Sequence, residues 1–140
     1  MIKFTYRGEA VGKGRPRVSR RGTHVHTFTP EKTRAFEDAV RFEFMATCCD
    51  PMPVYERELA LKVNVTIGVT IPQSYSKKKQ AQCRAGLIAP SKKPDIDNIL
   101  KALFDALNGY AFTDDVQIVK ITAEKIYAEK PFVEVEIDEL

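Results

Sequence analysis

The sequence has few cysteines and no long apolar run, and both shortages narrow the class of protein. Three cysteines in 140 residues cannot all pair, and the adjacent Cys48 and Cys49 make a poor disulfide framework. No CxxC or HxxxH spacing joins the cysteines to the two histidines, so we expect buried free thiols rather than a zinc site. No stretch approaches the ~18 apolar residues needed to span a bilayer. The sequence therefore predicts neither disulfides nor a membrane segment.

The chain has the composition of one soluble globular domain, which we assign to residues 1–140. Its 44% hydrophobic and 29% charged residues are ordinary for a protein with a full hydrophobic core. The first ten residues, MIKFTYRGEA, are interrupted by Lys3, Arg7 and Glu9 and are not typical of a signal peptide. We therefore expect a cytoplasmic protein.

The charges are divided unevenly along the chain. Residues 1–94 carry 18 Lys and Arg against eight Asp and Glu, whereas residues 95–140 carry four against 11. The formal net charge of +3 conceals this division. The basic part indicates a polyanionic partner such as nucleic acid, and the acidic part needs a separate explanation.

Hydrophobic periodicity predicts the element order βαβααββ. Thr29, Pro30 and Glu31 are typical of an N-cap and first turn that open a helix, and Asn108-Gly109 is typical of a helix end. The predicted strands cover 2–6, 58–71, 116–127 and 133–137, and the predicted helices begin near 30, 74 and 97. We expect an α/β (α+β) fold, with a four-stranded mixed sheet and helices on its apolar face.

A basic segment, GKGRPRVSRRGTHVHTF, lies between the first strand and the first helix. Its cations are Lys13, Arg15, Arg17, Arg20 and Arg21. Pro16 prevents a helix, and the glycines let the backbone approach a surface. No acidic residue occurs from Ala10 to Pro30. We interpret the segment as an arm that binds DNA phosphates, and refer to residues 12–28 as the arm.

The candidate catalytic residues are concentrated in the segment KKPDIDNILKALFDALNG and the following YAFTDDVQIV. Asp95 and Asp97 are two residues apart and project to one side of an extended approach to a helix. Asp97 suits the N-cap, and Lys101 lies one turn later on the same face. Asp114 and Asp115 form a second carboxylate pair. The segment between the helix and this pair is long enough for the two pairs to meet, but its length does not require them to. Asp105, further along the helix, is assigned a structural hydrogen bond.

Crowded carboxylates beside a basic arm favour metal-dependent phosphodiester chemistry. Like charges raise one another's pKa, and a hard cation such as Mg²⁺ removes that penalty. The ion also activates water and neutralises charge on the scissile phosphate, while a nearby lysine such as Lys101 adds a donor to the transition state. An isolated Asp-x-Asp pattern is weak, however, and an aspartate such as Asp97, taken alone, is more often only a helix N-cap.

The pattern K-P-D-x-D-N-x-x-K-x-x-x-D-x-L…D-D-x-Q, together with GKGRPRV after a first strand, resembles the RusA family of Holliday-junction resolvases of bacteria and prophages. The resemblance covers nearly the whole chain. It implies a RusA-like fold and a crossover junction endodeoxyribonuclease of DNA recombination and repair. The expected enzyme is a homodimer that nicks two opposed strands of a four-way junction with Mg²⁺, for which Mn²⁺ is expected to substitute. The expected setting is the bacterial cytoplasm, at the nucleoid or in a phage-infected cell.

The resemblance also implies roles for individual residues. Asp95, Asp97 and Asp115 fall on the three catalytic, metal-binding aspartates, and Lys101 falls on the catalytic lysine. Asp114 is a possible further site residue, and Lys92 and Lys93 are possible DNA contacts. Two alternatives stay open on the sequence: a non-catalytic nucleic-acid-binding protein, and a metal nuclease that acts on flaps or RNA.

Overall fold

The computed structural model describes residues 1–15 and 17–140, with the side chains of Arg17 and His26 outside that description. The interpretation of Pro16, and of the Arg17 side chain, as parts of the arm therefore lies outside the described residues. The strands are β1 (Ile2–Tyr6), β2 (Arg17–Arg21), β3 (His24–Phe28), β4 (Leu61–Thr70), β5 (Ile118–Ala128) and β6 (Phe132–Glu139). The helices are α1 (Glu31–Thr47), α2 (Lys77–Arg84) and α3 (Ile96–Leu107), and a 3-10 turn at Asp115–Gln117 precedes β5.

Strand β4 is an inner strand of a four-stranded mixed sheet in the order β1-β6-β4-β5. It pairs parallel with β5 and antiparallel with β6, which pairs antiparallel with β1. Leu61, Val63, Val65 and Ile67 are buried on one face, whereas Lys62 is exposed on the other. The predicted mixed sheet with helices on its apolar face is confirmed, and its long strand begins at Leu61 rather than at residue 58.

Helix α1 covers the sheet beside β1. Pro30 occupies the N-cap position in an extended conformation and makes no side-chain capping bond, so the predicted Thr29 cap is wrong. Phe36 and Phe44 are buried, and the Phe44 ring lies edge-on to Phe4 at 5.9 Å between centroids. Full burial of each such side chain stabilises the fold by about 1.5–3 kcal/mol. The helix packs against both β1 and α3.

Helix α3 belongs to the crossover that joins the parallel strands β4 and β5. Parallel neighbours cannot be joined by a tight turn, so the chain leaves the sheet and returns through α2 and α3. The buried residues of α3 are Ile99, Ala102, Leu103, Phe104, Ala106 and Leu107. The helix begins at Ile96 with Asp95 in the N-cap position, so the predicted start at Asp97 is wrong and Asp97 lies in the first turn. Because its apolar face is locked in the core, both ends of α3 hold fixed places.

The arm contains a β-hairpin that the sequence analysis did not predict. Strands β2 and β3 pair antiparallel around a two-residue turn, in which Gly22 has a φ of +60°. Val18 and Val25 are largely exposed, so the hairpin stands away from the core. Its β-branched residues and the glycine are typical of a hairpin. The five cations favoured the interpretation of an irregular loop instead.

The remaining expectations concern the membrane and the cysteines. Among the described residues, no helix is both long and apolar enough to cross a bilayer. The cysteines are free, as predicted, but only Cys83 is buried, whereas Cys48 is half-buried and Cys49 is exposed. The prediction of buried thiols is therefore wrong for Cys49.

A buried glutamine ties the start of β5 to the start of β4. The Gln117 side chain is 5% exposed. Its Oε1 accepts hydrogen bonds from the amides of Thr113 at 2.8 Å and Asp114 at 3.1 Å. Its Nε2 donates to the carbonyl groups of Glu56 at 2.7 Å and Leu59 at 3.1 Å. The turn that carries the second acidic pair is thus anchored at the sheet end.

Replacing Gln117 by leucine should lower the free energy of unfolding by about 2–4 kcal/mol, because four backbone groups lose their partner at a largely buried position. Urea denaturation measures this change. The matched control Gln73→Leu, at an exposed position, should stay within about 0.5 kcal/mol of the wild type. Equal losses in the two variants would contradict the anchoring role of Gln117.

Candidate active site

The first acidic pair lies at the corner where the chain enters α3. Asp95 holds the N-cap position without capping the helix by its side chain. Its carboxylate instead accepts hydrogen bonds from Asn98 Nδ2 at 3.1 and 3.2 Å. Contact with the Asp97 carboxyl, a backbone amide and the Asn98 side chain hold the pKa of Asp95 below its usual value. The corner therefore stabilises an ionised, solvent-exposed carboxylate beside a second one.

Two interactions from outside α3 fix this corner in place. The half-buried Lys125 on β5 donates its ammonium to the carbonyl groups of Lys92 at 2.7 Å and Pro94 at 3.0 Å. The amide of Lys13, from the arm, donates to the carbonyl of Asn98 at 2.9 Å. The sequence analysis missed both Lys125 and Asn98. Asn98 was visible as part of the D-x-D-N pattern, whereas nothing local marks Lys125, because its partners lie more than 30 residues away.

Lys101 lies one turn after Asp97 and is exposed. In the part of the chain that the structure describes, its ammonium makes no hydrogen bond or ion pair. The next residue on this face, Asp105, forms an ion pair with Lys13 at 2.9 Å. Asp105 thus has the structural role predicted for it, and Lys101 remains available to a ligand.

Lys13 differs from the other cations of the arm. Its ammonium lies between Glu37 on α1, at 2.7 Å, and Asp105 on α3, at 2.9 Å, and its side chain is 24% exposed. Burial lowers the pKa of Lys13, but its bonds to the two carboxylates outweigh burial and raise that pKa overall. An ammonium held by two carboxylates is poorly placed to grip a phosphate, so Lys13 anchors the base of the arm.

The second acidic pair lies in the turn before β5. Asp114 caps the 3-10 turn and accepts a hydrogen bond from the amide of Val116 at 3.3 Å. Burial, the Asp114 carboxyl and the charge of Asp105 raise the pKa of Asp115. Contact with the Asp115 carboxyl and with backbone amides lowers the pKa of Asp114. The two neighbours therefore have opposed tendencies to hold a proton.

The structure does not bring the two pairs together within one chain. The amide of Asp115 donates to Asn108 Oδ1 at 3.0 Å, which keeps the second pair at the C-terminal end of α3. The first pair lies at the other end of this 12-residue helix, a rise of about 18 Å. The connector cannot return because Ala111 and Phe112 are fully buried.

This separation bears on the metal that the sequence predicts. In the described part of the chain, no three His, Cys, Asp or Glu side chains lie close enough together to hold one metal ion. Mg²⁺ needs only one or two protein carboxylates, with water and phosphate oxygens filling its other positions. The Asp95–Asp97 pair fits that requirement, but a site that also includes Asp115 is not assembled by a single chain.

Basic side chains surround the first acidic pair. An open groove of about 710 Å³ borders Asp95 and Asp97, and Lys92, Lys93 and Lys125 also line it. Ammonium groups beside two carboxylates lower the electrostatic cost of bringing an anion close to them. The groove therefore presents positive charge next to the acidic corner.

Further exposed cations lie on the arm and at the start of α2. Arg15, Arg20 and Arg21 are exposed, as are the lysines that open α2. Lys79 lies 3.8 Å and Lys92 5.7 Å from the centre of the Tyr75 ring. This shared ring links α2 to the segment that lines the groove.

Comparison with known proteins agrees with the motifs. The model of the family Endodeoxyribonuclease RusA matches residues 7–138. The chain is 39% identical over 139 residues to Uncharacterized protein YqaN of Bacillus subtilis (strain 168). That alignment covers 99% of this chain and 96% of that protein. The chain is also 34% identical over 91 residues to Crossover junction endodeoxyribonuclease rusA of Lactococcus phage r1t. That alignment covers 64% of this chain and 63% of that protein. The chain belongs to the RusA endodeoxyribonuclease family.

Proposed function

We propose that this chain is a Mg²⁺-dependent crossover junction endodeoxyribonuclease that resolves four-way DNA junctions as a homodimer, in recombination and repair. The family and the name of the phage relative support the junction substrate. The observation that carries the proposal is the rigid Asp95–Asp97 corner, which opens onto a groove lined by Lys92 and Lys93. The proposed setting is the bacterial cytoplasm, on nucleoid or phage DNA, and the phage relative favours a prophage origin.

Asp95 and Asp97 are the proposed first ligands of the cation, and Asp115 is the proposed third. Carboxylate oxygens suit Mg²⁺ and also Mn²⁺. Such an ion, when bound, neutralises charge on the scissile phosphate and yields a nucleophilic water. Asp114 has its carboxylate engaged in capping its own turn, so we assign it a supporting role beside Asp115.

Lys101 is the proposed donor to the scissile phosphate. It is exposed and lies on the same face of α3 as Asp97, so its ammonium reaches a phosphate held at the corner. An ammonium placed there stabilises the additional charge of the transition state without displacing a metal ligand.

The arm is the proposed grip on the DNA backbone. Arg15, Arg20 and Arg21 are exposed on the hairpin and at its base, and guanidinium groups bind phosphate oxygens in pairs. Arg17 keeps this proposed role on the sequence alone. The ion pairs of Lys13 fix the base of the arm to α1 and α3, so the other cations project from a defined place.

Asp95→Asn, Asp97→Asn and Asp115→Asn should each abolish cleavage of a synthetic four-way junction, while junction binding persists or tightens. The reason is that each change removes a metal ligand and also one charge that repels phosphate. Lys101→Ala should reduce cleavage by about a hundredfold or more. Nicking is followed on labelled junctions with Mg²⁺, and binding is followed by gel shift without it.

The exposed Asp50 provides the control, since Asp50→Asn lies outside the proposed site and should cleave normally. Cleavage retained by Asp97→Asn would contradict the site. Junction binding without cleavage by the wild type would favour the non-catalytic alternative. Equal cutting of linear duplex, flaps and junctions would favour a general metal nuclease.

Replacing Arg20 and Arg21 together by alanine should weaken junction binding and flatten its dependence on salt. Each lost phosphate contact reduces the slope of log K against log salt concentration by about 0.9, so we expect a reduction of roughly one to two. The control replaces Lys3 and Lys62, which lie on the sheet face away from the helices, and should leave the slope unchanged. An equal change in both double variants would show that only net charge matters.

A further inference from the structure

Strand β5 places one lysine on the face of the sheet that the helices cover. Lys125 lies in register beside Ile67 of β4, which is fully buried on the apolar face. An ammonium group at such a position is unfavourable unless it reaches polar partners. Lys125 is half-buried, and its ammonium reaches the carbonyl groups of Lys92 at 2.7 Å and Pro94 at 3.0 Å. The position therefore uses a cation where the strand pattern calls for an apolar residue.

These two bonds hold the segment that leads into α3. In the described part of the chain, no other hydrogen bond reaches the backbone of residues 88–94. On the other side of the acidic corner, the amide of the fully buried Ile99 donates to the carbonyl of Asp95 at 3.1 Å. Asp95 thus lies between a helix that is fixed in the core and a segment that Lys125 bonds to the sheet.

We propose that Lys125 is a positioning residue of the cation site: by holding the backbone before Asp95, it sets where the Asp95 and Asp97 carboxylates meet the ion. The inference rests on the proposed function, because it concerns the cation of that function. Mg²⁺ demands near-ideal octahedral geometry, with oxygens at about 2.0–2.1 Å, so its affinity depends closely on carboxylate placement. Loss of a group that orients metal ligands typically costs about 10–100-fold in metal affinity.

The charge of Lys125 and its bonds to the backbone have opposite effects on cation binding. The side chain lines the groove that borders Asp95 and Asp97, where its charge repels a divalent cation. Removal of the charge alone would tighten Mg²⁺ binding, whereas removal of the two bonds would weaken it. The direction of the change in Mg²⁺ affinity therefore separates a positioning role from a purely electrostatic one.

Lys125→Met keeps an unbranched apolar side chain and removes both bonds, so it should weaken Mg²⁺ binding about tenfold or more. The affinity is obtained from the rise in melting temperature as Mg²⁺ is added. Cleavage of a four-way junction should need a correspondingly higher Mg²⁺ concentration. Lys125→Arg retains donors for two carbonyl groups and should restore most of the lost affinity.

Two matched variants lose the same charge and keep the backbone bonds. Lys120→Met changes an exposed lysine of the same strand and should leave the Mg²⁺ affinity unchanged. Lys93→Met removes an ammonium that lines the groove and should leave that affinity unchanged or raise it. Wild-type or tighter Mg²⁺ binding by Lys125→Met would overturn the inference, and so would an equal loss of affinity in Lys93→Met.

A double variant shows whether the effect of Lys125 passes through the acidic pair. Changes that act on one site are not additive, so Lys125→Met should have little further effect on Mg²⁺ stabilisation in an Asp97→Asn background. Equal losses in both backgrounds would contradict the positioning role. The melting temperature without Mg²⁺ reports on the fold, and Lys125→Gln, whose side chain is one bond shorter, replaces Lys125→Met if that variant is unfolded.

Junction binding without Mg²⁺ tests whether Lys125 instead contacts a phosphate. Positioning predicts the same salt dependence for Lys125→Met and the wild type, whereas loss of a phosphate contact lowers the log–log slope by about 0.9. A lowered slope together with wild-type Mg²⁺ affinity would overturn the inference and leave the nuclease in place. Failure of the wild type to bind Mg²⁺ or to cut junctions would instead overturn the proposed function, so the two failures are distinguishable.

Discussion

Parallel pairing of β4 with β5 is the constraint on which the arrangement of this molecule depends. Two parallel neighbours require a crossover, and here the crossover contains α3, whose apolar face is locked against α1 and the sheet. The helix therefore runs opposite to β5 and presents one acidic pair at each of its ends. The distance between the pairs follows from the length of α3, and no side-chain rotation can close a gap of about 18 Å.

Several cations of this basic chain stabilise the fold, and these are separate from the cations left for a ligand. Lys13 joins α1 to α3 through two carboxylates, and Lys125 holds the backbone before Asp95. Both are shielded from solvent more than Lys101, Arg20 and Arg21, which are exposed. A count of positive charges therefore overstates the DNA-binding surface, because part of that charge holds the acidic corner and the arm in position.

The sequence predicted what depends on local periodicity and missed what depends on distant contacts. The alternation along β4 and the apolar face of α3 predicted the mixed sheet and its helices, because burial imposes those patterns directly. The hairpin of β2 and β3 was missed because its exposed strands need no apolar face, so no hydrophobic pattern marked them. The ion pairs of Lys13 were missed for another reason: Glu37 is 24 residues away, and pairing at that range depends on packing of the helices.

The same distinction applies to the candidate site. The Asp95–Asp97 contact follows from a two-residue spacing and could be predicted, whereas the position of Asp115 depended on how the connector folds. Two buried residues, Ala111 and Phe112, decided that position by drawing the connector into the core. The length of the connector alone allowed the two acidic pairs either to meet or to stay apart. Burial of these two side chains keeps the pairs apart.

Separation of the acidic pairs also has an electrostatic consequence. Carboxylates gathered at one point repel one another unless a cation or hydrogen-bond donors stabilise them. A chain that held both acidic pairs at one point would be destabilised by this repulsion whenever no cation was bound. Here each pair has its own local support, from Asn98 for the first and from capped backbone amides for the second.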